Sequence, residues 1–288
     1  MKIGLALGGG SLRGAAHIGV LQVLLDNGIV PDIVAGTSAG SIITGFYAAG
    51  FSPGQMTDWL RETTKGWCNY EKAVAQNLFR SRRGLLPSLP LGLIQGKSLE
   101  RMALSAIGRK TFSQLKLPAA VVTTDLYTGQ GVVFTSRETM PQQPLRGMVF
   151  THEGEVVESI RASIAIPGVF TPKKIGKRTL VDGGLVDNVP ADVVKHLGAD
   201  VVIAVDLGFQ VQQTTPFKNM IQVLVQSADI MGQRITDQVL GQYADVVLHP
   251  ETGGAGLLDF GKIPAMIQAG VAEATRRLPE IKSAIQLV

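Results

Sequence analysis

The chain has 288 residues, 45% hydrophobic and 6% aromatic, with a formal net charge of +4. That is ample apolar material for one large α/β domain, while the low aromatic content and the lack of a recognition module exclude a nucleic-acid-binding role. The single cysteine, Cys68, excludes an internal disulfide and a cysteine-based zinc cluster, and His17, His152, His196 and His249 lack metal-ligand spacing, so no metal or other cofactor is expected. No run approaches the ~18 apolar residues of a membrane span. The apolar start, Ile3 to Leu7, meets glycines before it reaches signal-sequence length, so the expected location is cytoplasmic and any lipid contact peripheral.

In chain order, a strand is expected near 2–7, then the bend Gly8-Gly9-Gly10-Ser11-Leu12-Arg13-Gly14, then a helix from Gly14 to Asn27. The bend has two readings. As a dinucleotide loop it fails the GxGxxG spacing, because Ser11 or Arg13 falls at a glycine position, and no carboxylate ends the second strand to take a ribose. As part of an acyl-transfer site, the amides of Gly9, Gly10 and Ser11 form an oxyanion hole, in which one donor is worth ~100 to 1,000-fold in rate. The next strand, near 32–35, runs into Gly36-Thr37-Ser38-Ala39-Gly40, followed by an apolar helix from Ala39 to Ala49 that Gly50 ends. Strand, GxSxG and helix is the context of a nucleophile elbow, with Ser38 Oγ raised at the strand end and the Ala39 amide facing an oxyanion. The bland reading is a small-residue turn joining a strand to a helix.

Ser52-Pro53, a good N-cap and first helical residue, opens a cap-like insertion over about 52–115, helical at both ends and irregular between, read as covering the sheet edge. Within it Lys72, Arg80, Arg82, Arg83, Lys97, Arg101, Arg109 and Lys110, continued by Lys116, are opposed by Glu100, and an apolar, proline-broken stretch over 84–94 fits no regular element. Basic plus apolar suits an anionic membrane surface, and a solvated face is the alternative. Whether 84–94 is a lid, a membrane wedge or a dimer contact stays open, as does the oligomeric state. Further strands are expected near 119–124, 131–134, 179–181, 200–205 and 244–248, and helices near 157–165, 190–197, 216–241 and 263–277. The alternation predicts a mainly parallel sheet in a single domain over 1–288.

Val181-Asp182-Gly183-Gly184 delivers a carboxylate to the end of a short strand, where the glycines allow another backbone to approach. Asp182 is the candidate general base. An exposed aspartate with a pKa of about 3.9 is a poor base for a hydroxyl, so burial or water exclusion has to raise its basicity; read blandly, the segment is an ordinary turn. Ser38, Asp182 and then His196 or His249 also follow the chain order of an α/β-hydrolase triad. Two features oppose that alternative: the elbow follows only the second strand, and His196 falls in a surface helix. His17 reads as a packing or hydrogen-bonding residue, Asp125 and Asp206 as loop caps, and Arg13 either as a brace for the glycine bend or as a phosphate contact.

GGGxxRG, GxSxG and DGG, in this order, resemble the patatin-like phospholipase family, and the resemblance covers nearly the whole chain. It is most similar to small bacterial members related to the neuropathy target esterase catalytic domain, through 13–21 (RGAAHIGVL), 124–129 (TDLYTG), 162–170 (ASIAIPGVF) and 180–190 (LVDGGLVDNVP). The resemblance implies a three-layer α/β/α fold and hydrolysis of phospholipid or lysophospholipid acyl esters by a serine and aspartate dyad without histidine or calcium. It implies Ser38 as nucleophile, Asp182 as base beside Gly183 and Gly184, and the bend from Gly9 to Arg13, including Leu12, as oxyanion hole. Two positions depart from the family pattern: Ser11 replaces a third motif glycine, and a serine resists positive φ, while Asp187 stands where asparagine is frequent.

Overall fold

The computed structural model describes residues 1–63, 91–208, 220–253 and 259–287. Its strands are β1 (Ile3–Leu7), β2 (Ile33–Thr37), β3 (Gly92–Ile94), β4 (Ala119–Asp125), β5 (Gly131–Phe134), β6 (Met148–Thr151), β7 (Gly168–Phe170), β8 (Lys173–Ile175), β9 (Arg178–Asp182), β10 (Val201–Val205) and β11 (Val246–Leu248). The helices are α1 (Ala16–Asp26), α2 (Ala39–Ala49), α3 (53–63), α4 (Lys97–Ile107), α5 (Val156–Ser163), α6 (Ala191–His196), α7 (Met220–Tyr243) and α8 (Ile263–Gln286).

Successive strand side chains point to opposite faces, and here both faces are buried. Leu5, Leu7, Val34, Val121, Ile203 and Val205 enter one core with Ile18, Leu21, Phe46 and Ala274 from α1, α2 and α8. Their neighbours Ala6, Ile33, Ala35, Val122, Val202 and Ala204 enter a second core with Val193, Val194 and Leu240 from α6 and α7. The result is the three-layer α/β/α architecture, with a sheet in the order β11-β10-β1-β2-β4-β5-β6, extended by β9 and β8. The pairs from β11 to β4 are parallel, as is β5 with β6, while β4 is antiparallel to β5 and β9. Two-sided burial is why these strands read as short unbroken apolar runs.

One register detail places the site. β2 pairs with β4 as far as Thr37 opposite Val122, and β9 then takes over the same side of β4, with Asp182 opposite Thr123. The carboxyl end of β2 and the carboxyl end of β9 therefore meet head to head, and the residue after Thr37 is Ser38.

Three expectations are corrected. Gly92–Ile94, within the stretch read as irregular, is a strand paired with β7; residues 84–90 lie outside the described residues. The described ends of the insertion, α3 and α4, pack on the α2 face instead of along a sheet edge: Met56 joins the first core, Trp59 lies 4.5 Å from the Phe46 ring, and α4 packs on α5. α8 continues past 277 through Pro279 to Gln286, because Ile281 is fully buried and Leu278, Ala284 and Ile285 pack on the first core, outweighing one lost helical hydrogen bond. No helix among the described residues is long and apolar enough to cross a membrane.

Candidate active site

The elbow forms because small residues permit it. A side chain at Gly36 would strike Thr44 and the Gly40 backbone, and one at Gly40 would strike the Leu7 carbonyl. Between them Ser38 takes φ 51°, a left-handed value that a serine rarely adopts. Its backbone is held from behind: the Ser38 amide donates to Ser163 Oγ at 2.8 Å, and that hydroxyl donates to Val122 O at 2.6 Å. Ser163, at the end of α5, is a site residue that sequence reasoning gave no role. It lies within the 162–170 segment, but nothing local marks its serine as the support of a residue 125 positions away.

Ser38 Oγ donates to Asp182 Oδ2 at 2.8 Å, with both residues buried. The other carboxylate oxygen of Asp182 accepts the Gly184 amide at 2.9 Å. The Asp182 backbone is fixed on two sides, its carbonyl accepting from Thr124 Oγ1 at 2.8 Å and its amide donating to Ala165 O at 3.1 Å. A side chain at Gly183 would strike the Val122 carbonyl, the close approach that the paired glycines were expected to allow.

The glycine bend packs directly on the elbow. A Cβ at Gly9 would lie 3.2 Å from Ser38 Cβ, and one at Gly14 would collide with Ala39. Ser11 does adopt the positive φ that its side chain disfavours, at 54°. The expected donor set is narrower than the bend as a whole. The Gly9 amide donates to Asn188 O at 3.0 Å and the Arg13 amide to Gly10 O at 3.1 Å, so both are spent on the fold. The amides of Gly10, Ser11 and Ala39 have no acceptor among the described residues. Leu12 sits in the 3-10 turn Ser11–Ala15, partly buried against Ile263 and Met266. Arg13 braces the bend: Nε donates to Gly10 O at 3.2 Å, and one terminal nitrogen donates to Leu207 O at 3.0 Å and Gly208 O at 2.7 Å.

His17 lies beneath the bend, fully buried, its Nε2–H donating to Gly8 O at 2.7 Å while Nδ1 has no partner among the described residues. Burial lowers its pKa to about 4, the Gly8 carbonyl opposing only part of that effect. The two histidines of the triad alternative are engaged elsewhere: His196 Nδ1 with Asp192 O at 2.8 Å, and His249 with Asp206 at 3.5 Å. Asp125 and Asp206 cap loops, accepting the amides of Tyr127 and Gly208. Of the basic block, Lys72, Arg80, Arg82 and Arg83 lie outside the described residues. Lys97 and Arg101 are exposed on α4, and Arg109 pairs with Glu155 at 3.2 Å.

Fold and site together define a three-layer α/β protein that holds a serine and aspartate pair at the carboxyl ends of its central strands, beside amides with no acceptor among the described residues. The chain belongs to the patatin-like phospholipase family, whose profile matches residues 5–195. An uncharacterized NTE family protein of Mycobacterium tuberculosis is 32% identical over 207 residues, 72% of this chain and 49% of that protein. Patatin-like phospholipase domain-containing protein 6 of Mus musculus is 31% identical over 210 residues, 72% of this chain and 14% of its own length. The chain thus spans half or less of these curated relatives. Human GIVD cytosolic phospholipase A2 superposes on 99% of the chain and 60% of its own, with a TM-score of 0.49 at 12% identity, a likeness too low to carry an argument.

Proposed function

We propose that the protein is a lipid acyl hydrolase that cleaves carboxylic esters of phospholipids or lysophospholipids through an acyl-Ser38 intermediate. The observation that carries this reading is the direct 2.8 Å bond from Ser38 Oγ to Asp182 Oδ2 within a buried site. Asp182 takes the proton as Ser38 Oγ bonds to the ester carbonyl carbon, and the carbonyl oxygen gains a negative charge facing the Gly10, Ser11 and Ala39 amides. The bond to the leaving alcohol then breaks, and the proton on Asp182 passes to that oxygen. In the second half, Asp182 takes a proton from water, water adds to the acyl carbon, and the proton returns to Ser38 as the fatty acid leaves. General-base assistance of this kind supplies ~100 to 10,000-fold.

A direct serine-to-carboxylate bond leaves no position for an intervening imidazole, which supports the dyad over a triad. Membership of the patatin-like family supports the lipid ester as substrate class. The same reading includes delivery from an anionic lipid surface to which the basic block contributes, with Lys97 and Arg101 of α4 available for it. The test is labelling with a fluorophosphonate probe. Labelling is expected to vanish in Ser38→Ala, to slow ~100-fold or more in Asp182→Ala, and to persist in His196→Ala and His249→Ala. A folded Ser38→Ala protein that still labels or hydrolyses ester overturns the mechanism.

A further inference from the structure

Behind the elbow lies a pair of acidic groups that this mechanism does not use. Asp187 is 2% and Asp192 6% exposed, and their carboxyl groups lie side by side, within reach of a shared hydrogen bond. Two carboxylates cannot share such a bond, since neither has a hydrogen to give. With both ionised, Asp187 Oδ2 is a buried oxygen without a donor among the described residues; one proton between the two groups supplies a donor and removes a buried like-charge contact.

The surroundings decide which residue holds the proton. Asp192 Oδ1 accepts the Val193 amide at 2.7 Å, and His196 lies near enough to favour a negative charge on Asp192. Asp187 has neither support. Burial and then the Asp192 charge push its carboxyl well above the usual carboxylate range, and burial pushes Asp192 up against the opposing effect of Asp187, Val193 and His196. The charged groups facing the pair come from α6, namely Asp192 and His196 themselves; the contacts from β2 and from the 183–185 turn are the uncharged Thr37 and Gly183.

The segment that this pair anchors is where the three motifs meet. The Asp187 amide donates to Gly183 O at 2.9 Å, next to the base, and its carbonyl accepts Thr37 Oγ1 at 2.9 Å, next to the nucleophile. The following residue, Asn188, accepts the Gly9 amide through its carbonyl. A shift of residues 187 and 188 therefore reaches base, nucleophile and glycine bend at once.

We propose that Asp187 is a positioning residue held as the neutral carboxylic acid, whose O–H, donated to Asp192, locks the junction of the three motifs, so that loss of this one proton disables the site from the alkaline side. The catalytic half of this proposal rests on the reading of Ser38 as nucleophile. The pair itself does not.

The experiment follows fluorophosphonate labelling rate and denaturant unfolding midpoint together, from neutral to alkaline pH, in wild type, Asp187→Asn, Asp187→Ala and Asp192→Asn. A folded-state pKa above the unfolded one means that the stabilisation is complete below the ordinary carboxylate range and is lost as pH rises through the raised value. Wild type is therefore expected to lose labelling in a one-proton alkaline step, and to lose stability relative to Asp187→Asn as pH rises. Asp187→Ala, which leaves Asp192 without its donor, is expected to label about tenfold more slowly. Asp187→Asn keeps a donor and is expected to recover most of that loss with the alkaline step gone. Asp192→Asn, with the donor on the other side, is expected to lose the same step. An alkaline step and stability profile unchanged in both asparagine variants overturns the proposal, even if Asp187→Ala does not fold. If Ser38 is labelled in none of the proteins, the nucleophile reading fails, while the midpoints still decide whether the pair holds a proton.

Discussion

His17 makes the acid stability of this protein calculable. As pH falls, the unfolded chain protonates this imidazole near 6.5, whereas in the folded protein the pKa is about 4, because burial strips the charged ring of water and Nδ1 has no acceptor among the described residues. A depressed folded pKa means that the stabilisation is complete above 6.5 and lost as pH falls toward 4, where protonation of the folded state begins to limit the loss. The two values give a loss of about 2 kcal/mol at pH 5 and about 3 kcal/mol at pH 4, a sizeable share of the ~5 to 15 kcal/mol that holds a domain folded. The assay is urea unfolding of wild type and His17→Gln at several pH values, since glutamine can still donate to Gly8 O but does not titrate. Any constant cost of the substitution cancels, because the quantity of interest is how the difference changes with pH. It should shift in favour of the variant by the amounts above. A difference that stays flat between neutral pH and pH 4, or an NMR titration of His17 near its ordinary value, refutes the argument. Because His17 holds the Gly8 carbonyl of the glycine bend, labelling of Ser38 in the folded protein should fall as pH drops through about 4.

Two further substitutions probe the supports of the elbow. Ser163→Ala removes the hydroxyl between the Ser38 amide and Val122 O, leaving two buried groups unpaired at about 1 to 3 kcal/mol each; unfolding midpoint and Ser38 labelling should both drop, and a variant as stable and as reactive as wild type shows that the bridge is idle. Gly40→Ala drives a methyl into the Leu7 carbonyl, a backbone atom that cannot step aside, so a stability loss of about 1 to 3 kcal/mol or more is expected in denaturant, with labelling impaired in whatever protein folds.

Much of the fold is legible as local pattern. The apolar runs of β1, β2, β4 and β10 and the helix that Gly50 ends, at φ 97°, needed only composition and periodicity. β3, β6, β7 and β8 are not among the expected strands: three or four residues are too few to show alternation, and these four lack the Val-Val pair that marks the equally short β5 and β11. The last turns of α8 were hidden by Pro279, whose helix-breaking tendency is overridden by the burial of Ile281, a tertiary contact. Arg13 could be read as a brace or a phosphate contact until its partners at the end of β10 were known.

The sequence by itself determined the three chemical pieces: a serine on a small-residue turn, a carboxylate at a strand end, and a glycine bend. Each is a local consequence of which backbone angles and close approaches its residues permit. Only the tertiary structure decided that they form one site, because β9 takes over the side of β4 that β2 leaves, bringing Asp182 to Ser38 across 144 residues. It also decided that the Gly9 amide is spent on Asn188 O, that Ser163 holds the Ser38 backbone, and that Asp187 and Asp192 are buried together behind the elbow. Hydrogen-bond partners and desolvation depend on what lies nearby in space, and the order of residues along the chain does not specify that.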